Sequence, residues 1–112
     1  MQRSVIFGMV YVMRRRKSAD WMTIWDDRLL ELLSEEGPAA PTPLANDDHI
    51  HINPSSVSRR LRRLKEYGLV HGLGNGVYGI TSEGEQYLNG ELDASSLEEQ
   101  EETDNGDASA EA

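Results

Sequence analysis

The sequence predicts a small, mostly helical α+β fold: a three-helix core, a β-hairpin and a closing C-terminal helix. Three observations predict it. The basic stretch Asn53 to Tyr67 has helical spacing and caps at both ends. A glycine-tipped hairpin signal follows it with no linker. Two further helical patterns precede it, and one more comes after the hairpin.

The basic stretch organises the rest. Asn53 suits the N-cap, and Pro54 suits the first helical turn, where its missing N–H costs nothing. Val57, Leu61 and Leu64 share one stripe, with Tyr67 at its margin, and Gly68 ends the helix in the C′ manner. At about 100° per residue, Ser55, Arg59, Arg62, Arg63 and Glu66 lie opposite that stripe. Ser58 and Lys65 fall on one flank and Arg60 on the other. Small polar residues at the start and arginines along the outer face suit a helix entering the DNA major groove N-terminus first. With a hairpin directly behind it, this reads as the recognition helix of a winged helix-turn-helix. Two blander readings compete: a merely solvated charged face, and an Arg-rich helix lying on a membrane.

Composition bears on that choice. The 112 residues leave room for one small domain. Twenty acidic against eleven basic residues give a net charge of −9, which alone argues against nucleic acid. The distribution reverses the argument: residues 1–17 carry five positive charges and no acid, 59–65 carry five more, and 91–112 carry nine acids and no base. Only the middle block belongs to the predicted core. There is no cysteine, hence no disulfide framework, cysteine nucleophile or thiolate metal site. Two of the eleven basic residues are lysine, and this acid-rich, lysine-poor balance fits a cytoplasm of high salt.

Val5 to Met13 is apolar but nine residues long, far short of the ~20 needed to span a bilayer. Its charges, Arg14 to Lys17, follow the apolar run instead of preceding it, unlike a secretory signal. A short strand or an interfacial anchor would account for it; the favoured expectation for residues 1–19 is a disordered extension or over-predicted coding sequence, with the true start at Met9, Met13 or Met22. If translated, Arg14–Lys17 suits an arm lying along DNA phosphates.

The core then follows in order. Thr23 and Asp26 resemble a capping box. Trp25, Leu29, Leu32 and Leu33 form the apolar face of the first helix, joined by Trp21, with Asp27, Glu31 and Ser34 on the polar side, read as solvated surface. Gly37-Pro38 stops it. Thr42-Pro43 predicts a short helix with Thr42 as cap, running to Asn46 or Asp47. The connection from there to Asn53 is longer than the three or four residues usual in a helix-turn-helix. His49, His51 and His71 invite a metal hypothesis, but two histidines at i and i+2 without further ligand spacing read as loop residues.

Leu69–Leu73 and Val77–Ile80 flank Gly74-Asn75-Gly76, and Asn-Gly between β-prone runs predicts a type I′ hairpin turn. It is either an ordinary structural hairpin or a wing touching the phosphate backbone. No phosphate-cradling lysine motif accompanies its glycines. Ser82 and Glu85 predict the boxed start of the last helix, with Tyr87, Leu88 and Leu92 packing inward. From Asp93 the chain is acidic, small and polar, a composition expected to stay disordered. The domain is therefore expected over 20–92, between an extension at 1–19 and a tail at 93–112.

Beyond these elements, the chain resembles the small haloarchaeal winged helix-turn-helix regulators related to the repressor of halophilic phage ΦH. The matching residues are Trp21 to Arg28, Ser58-Arg-Arg-Leu61, Tyr67-Gly-Leu-Val70, Leu73 to Tyr78, and Ile80-Thr81 with Gly84, Tyr87 and Leu88, covering about residues 20–93. The long link before Asn53 also fits that family. The resemblance implies sequence-specific binding of double-stranded DNA and transcriptional control in the cytoplasm by a homodimer. It carries Ser56, Ser58, Arg59, Arg62 and Arg63 as groove contacts, and Asn75 with its glycines as the wing tip.

The leading expectation is thus a repressor-like regulator contacting DNA through Ser55, Ser56, Ser58, Arg59, Arg60, Arg62, Arg63, Lys65, Asn75 and Gly76. It needs no metal, cofactor, small-molecule ligand or membrane. The alternative is a winged helix that binds a protein partner through its tail or hairpin. An enzyme is disfavoured, because no nucleophile–base pair, metal cluster or cofactor loop stands out.

Overall fold

The computed structural model describes residues 16–99. The apolar run at 5–13, the start-site expectation, Arg14 and Arg15 of the basic arm, and most of the acidic tail lie outside the described residues. Helix α1 spans Ile24–Glu36, α2 Pro41–Ala45 and α3 Pro54–Glu66; strands β1, Val70–Gly74, and β2, Val77–Ile80, precede α4, Ser82–Leu88. A 3-10 turn, Ala94–Ser96, follows. The expected α+β winged helix architecture is what the chain adopts.

The α1 start is the capping box read from Thr23 and Asp26. Thr23 N donates to Asp26 Oδ2 at 2.7 Å, and Trp25 N to Thr23 Oγ1 at 3.2 Å. Leu29, Leu30, Leu32 and Leu33 are buried beneath it. The polar side of α1 is not the solvated surface expected. Tyr87 Oη donates to Asp27 Oδ1 at 2.6 Å, Ser34 Oγ to Glu85 Oε1 at 2.8 Å, and Arg16 bridges Asp27 and Glu31. Asp27, Glu31 and Ser34 therefore form a polar seam between α1, α4 and the N-terminal lead-in.

Two caps fall one or two residues earlier than expected. Helix α2 opens at Pro41 from Ala40 without a side-chain cap, so Thr42 is helical. Helix α4 is capped by Thr81, whose Oγ1 accepts from Gly84 N at 3.1 Å and donates to Gly68 O at 2.7 Å. Thr81 thus serves the helix and the hairpin base together, which Ser82 could not do.

The long α2–α3 connection is ordered by its own turns. Ile50 N donates to Asp47 O at 3.0 Å and His49 N to Asp47 Oδ1 at 2.8 Å, and Ile50 is buried. Helix α3 ends in a Schellman motif: Gly68 N reaches Lys65 O and Leu69 N reaches Leu64 O, each at 3.0 Å, with Gly68 at φ +80°. Leu64 and Leu69 meet in the core, so the chain is turned directly into β1.

The strands pair antiparallel, Val70 with Ile80 and Gly72 with Tyr78, and Leu73 forms an irregularity before Gly74 pairs with Val77. Asn75 and Gly76 have φ of +57° and +76°, the positive pair a type I′ turn requires. Ala39 adds a one-residue antiparallel bridge to Tyr78, tying the loop after α1 to the outer edge of the hairpin.

Among the described residues, contacts with the core reach beyond 20–92 at both ends. Ala19 is buried, Lys17 O accepts from Ala94 N at 2.8 Å, and Ala94 is buried while Leu97 packs against the core. Apolar alanines in an otherwise polar stretch were enough to close this seam.

Candidate nucleic-acid interface

Helix α3 buries Val57, Leu61 and Leu64 completely, and its other side faces out. Asn53 Oδ1 accepts from Ser56 N at 2.8 Å, securing the first turn. Ser55, Arg59, Arg62, Arg63 and Lys65 are exposed, and Ser56 and Ser58 are half-buried. Arg59 Nη2 lies 3.3 Å from Ser56 Oγ, and Arg62 Nη1 lies 3.4 Å from Ser58 Oγ, pairs set by i,i+3 and i,i+4 spacing. These contacts orient each guanidinium along the helix without neutralising it. Among the described residues, Arg59, Arg62 and Lys65 have no carboxylate within ion-pair distance.

Arg60, also expected as a DNA contact, has a different setting from its neighbours. It follows Val57 by three residues and precedes Leu64 by four, so helical geometry turns it toward the apolar stripe. Its Nε lies 3.1 Å from Asp26 Oδ1, and its Nη2 donates to Trp21 O at 3.3 Å. Asp26 is fully buried. Burial pushes its carboxyl above the usual aspartate range, against the Thr23 backbone bond and the Arg60 charge, which pull it down. Arg60 therefore fastens α3 to the cap of α1.

Arg63 was legible as a surface charge, but its setting was not. Trp21 and Tyr67 stack with ring centroids 4.5 Å apart, and the Arg63 guanidinium lies 5.8 Å from each ring. It also lies 3.6 Å from Glu66 Oε1. The i,i+4 spacing of Arg63 and Tyr67 was the available signal; the arrival of Trp21 from outside the helix was not encoded in any local pattern. Trp25, Ile52, Ser56, Arg59, Arg60 and Arg63 line a shallow cleft beside α3.

At the other end of the helix the hairpin joins the same face. A Cβ built on Gly72 would lie 3.6 Å from Lys65 Nζ, so the ammonium rests against β1. Asn75 and Gly76 are exposed at the hairpin tip. The three histidines do not converge: His49 pairs with Asp47, His51 lies 5.8 Å from the Trp25 ring, and His71 is on β1. Among the described residues no group of three His, Cys, Asp or Glu could hold a metal ion. No helix among them is long and apolar enough to cross a membrane.

Residues 13–100 match the winged helix-turn-helix phage repressor family. The chain belongs to that family. A solved structure of the PhiH1 repressor-like protein from Haloarcula marismortui is 54% identical, with a TM-score of 0.73, covering 76% of this chain and 97% of that one. No curated protein matches. The phage repressor-like chain thus shares its fold and most of its length with a halophilic archaeal relative, as the sequence resemblance implied.

Proposed function

We infer that this phage repressor-like chain is a sequence-specific DNA-binding transcriptional regulator, working as a homodimer in the cytoplasm. One observation carries the reading. In a chain of net charge −9, Arg59, Arg62 and Lys65 project from one exposed helix face without carboxylate partners among the described residues. Ser55, Ser56 and Ser58 open that face at the helix N-terminus, where small polar residues suit base edges. In this reading the exposed Asn75 and Gly76 touch the flanking phosphate backbone, with Lys65 between helix and hairpin. Arg60 is left out of the contact set because it holds Asp26. No catalytic chemistry is part of this reading.

The test is operator selection from a random duplex library, followed by anisotropy titration of Arg59→Ala and Arg62→Ala. Each should lose about 1–3 kcal/mol of specific binding, the value of one good base contact, with an unchanged melting temperature. Selection that returns no preferred sequence, or full operator affinity in both variants, refutes it.

A further inference from the structure

The C-terminal segment leaves the fold beside the basic helix. Leu97 shares a groove with Lys65, Tyr67, Val70 and His71, between the end of α3, β1 and the start of α4. Glu98 and Glu99 follow it and are exposed. Residues 98–112 hold seven acids, Glu98, Glu99, Glu101, Glu102, Asp104, Asp107 and Glu111, and no base. The face they start from holds Arg59, Arg62, Arg63 and Lys65.

We propose that the acidic segment 98–112 docks along the outer face of α3 and competes there with DNA phosphates. Reach is sufficient. Fifteen residues extend up to about 50 Å at roughly 3.3–3.6 Å each, whereas a thirteen-residue helix is about 20 Å long at about 1.5 Å per residue. Leu97 fixes the starting point at the Lys65 end, so the effective concentration of carboxylate over the face is high. The groove is not uniformly attractive, since Glu83 also lines it. That acid steers the segment away from α4 and toward the arginines.

The device has a particular salt dependence. Phosphate binding to a basic face strengthens as salt falls, because more counterions are released. The tethered carboxylates gain over the same range, with a Debye length of about 10 Å at about 0.1 M against about 3 Å at about 1 M. The segment therefore blunts non-specific binding where that binding would be strongest, and it flattens the salt slope of the whole protein. This regulatory part rests on the DNA-binding reading; the docking itself does not.

The chain has no cysteine, so a single Ser109→Cys carries a nitroxide label at a unique place. The full-length labelled protein should show selective paramagnetic broadening of the Ser58, Arg59 and Arg62 amides at about 0.1 M KCl, sparing Glu35 and Glu36 on α1 and fading at about 1 M. Absence of broadening, or equal broadening on both helices, overturns the docking. A second full-length variant carries Glu98→Gln, Glu99→Gln, Glu101→Gln, Glu102→Gln, Asp104→Asn and Asp107→Asn. It should bind a random duplex roughly tenfold more tightly at low salt, the order expected on removing an intramolecular competitor at millimolar effective concentration. Its plot of log affinity against log salt should be steeper. Equal affinity and slope in the two proteins overturn the competition. Selective broadening in a protein that binds no duplex in either form would sink the DNA reading and the competition, while the docked segment stands.

Discussion

Asp26, fully buried at the start of α1, lies 3.1 Å from Arg60 Nε on α3. This contact joins the cap of one helix to the orientation of another. Arg60 is the only cation of the 59–65 cluster turned inward, and a fully buried carboxylate explains why it must be. Removing one partner of a buried pair costs about 3–5 kcal/mol, because the other charge stays unpaired. The Arg60 side chain is 26% exposed, so the lower end of that range applies. Arg60→Met should unfold at clearly lower temperature than the parent. Asp26→Asn combined with Arg60→Met should recover part of the loss, since neither charge remains. Strictly additive losses in calorimetric melts would show that the two residues do not act as a pair.

The same carboxyl makes a pH prediction. Its pKa is raised from 3.8 in the folded protein, chiefly by burial. A raised carboxyl pKa means that the folded state holds the proton more tightly than the unfolded one. Its contribution to stability is fully present below 3.8 and is lost as pH rises through the folded value. Carboxyl-carbon NMR should place the Asp26 midpoint above 3.8, and Arg60→Met should move it higher still. A midpoint at or below the ordinary aspartate value would contradict the dominance of burial.

Gly84 lies where α4 crosses the hairpin base. A Cβ there would sit 2.4 Å from Leu69 O and 2.5 Å from Ile80 Cγ1. Alanine normally gains about 1 kcal/mol over glycine in a helix. Here it meets a backbone carbonyl that cannot move without disturbing the turn out of α3. Overpacking of this kind costs about 1–3 kcal/mol, so Gly84→Ala should be destabilising on balance. A rise in melting temperature for that variant would mean that α4 can lift away freely.

How far the sequence carried the reading depends on how local each feature is. Helices α1 and α3, the Thr23–Asp26 box, the Asn53 cap and the Asn75-Gly76 turn were all legible, because each rests on residues within one or two turns. Helix α2 starts earlier because Pro41 opens it from Ala40 without any side-chain cap, whereas the start of α4 turns on two neighbouring hydroxyls. Thr81 displaced Ser82 as cap because its hydroxyl also reaches Gly68 O, 2.7 Å away and thirteen residues back. Arg60 looked like its neighbours in charge; helical spacing sets it beside the apolar stripe, and the buried Asp26 on another helix fixes where its guanidinium goes. The Arg16, Asp27 and Tyr87 seam joins three separate parts of the chain, so no periodicity could announce it.

Tyr87 anchors that seam. Its ring is fully buried and its hydroxyl donates to Asp27 Oδ1 at 2.6 Å. Burial first, and then the bond to Asp27, raise the phenol pKa well above its ordinary value. Tyr87→Phe keeps the ring and loses a bond to a charged acceptor, worth about 1.5–3 kcal/mol. At about 4–8 °C per kcal/mol for a domain of this size, the melting temperature should fall by roughly 10 °C or more. A shift of less than a degree or two would mean that Arg16 alone satisfies Asp27.

The final prediction sets folding against DNA binding as salt changes. The chain has no cysteine to form a disulfide, and among the described residues fewer than twenty buried apolar side chains build the core, which favours a small margin of stability. Its acid excess adds self-repulsion that ions screen. Folding should therefore strengthen as potassium chloride rises from dilute buffer toward molar concentration. DNA binding faces the opposite trend, with log affinity falling at a slope near −0.9 for each phosphate neutralised. The base-edge contacts proposed for the serine and arginine face would not carry that slope. The melting temperature should rise with salt, and an operator complex should persist at molar salt after non-specific binding has gone. Circular dichroism melts and anisotropy titrations over the same salt range read the two halves separately. Melting that ignores salt would remove the self-repulsion argument. An operator complex that dissolves in step with the non-specific one would show that α3 holds phosphates rather than bases.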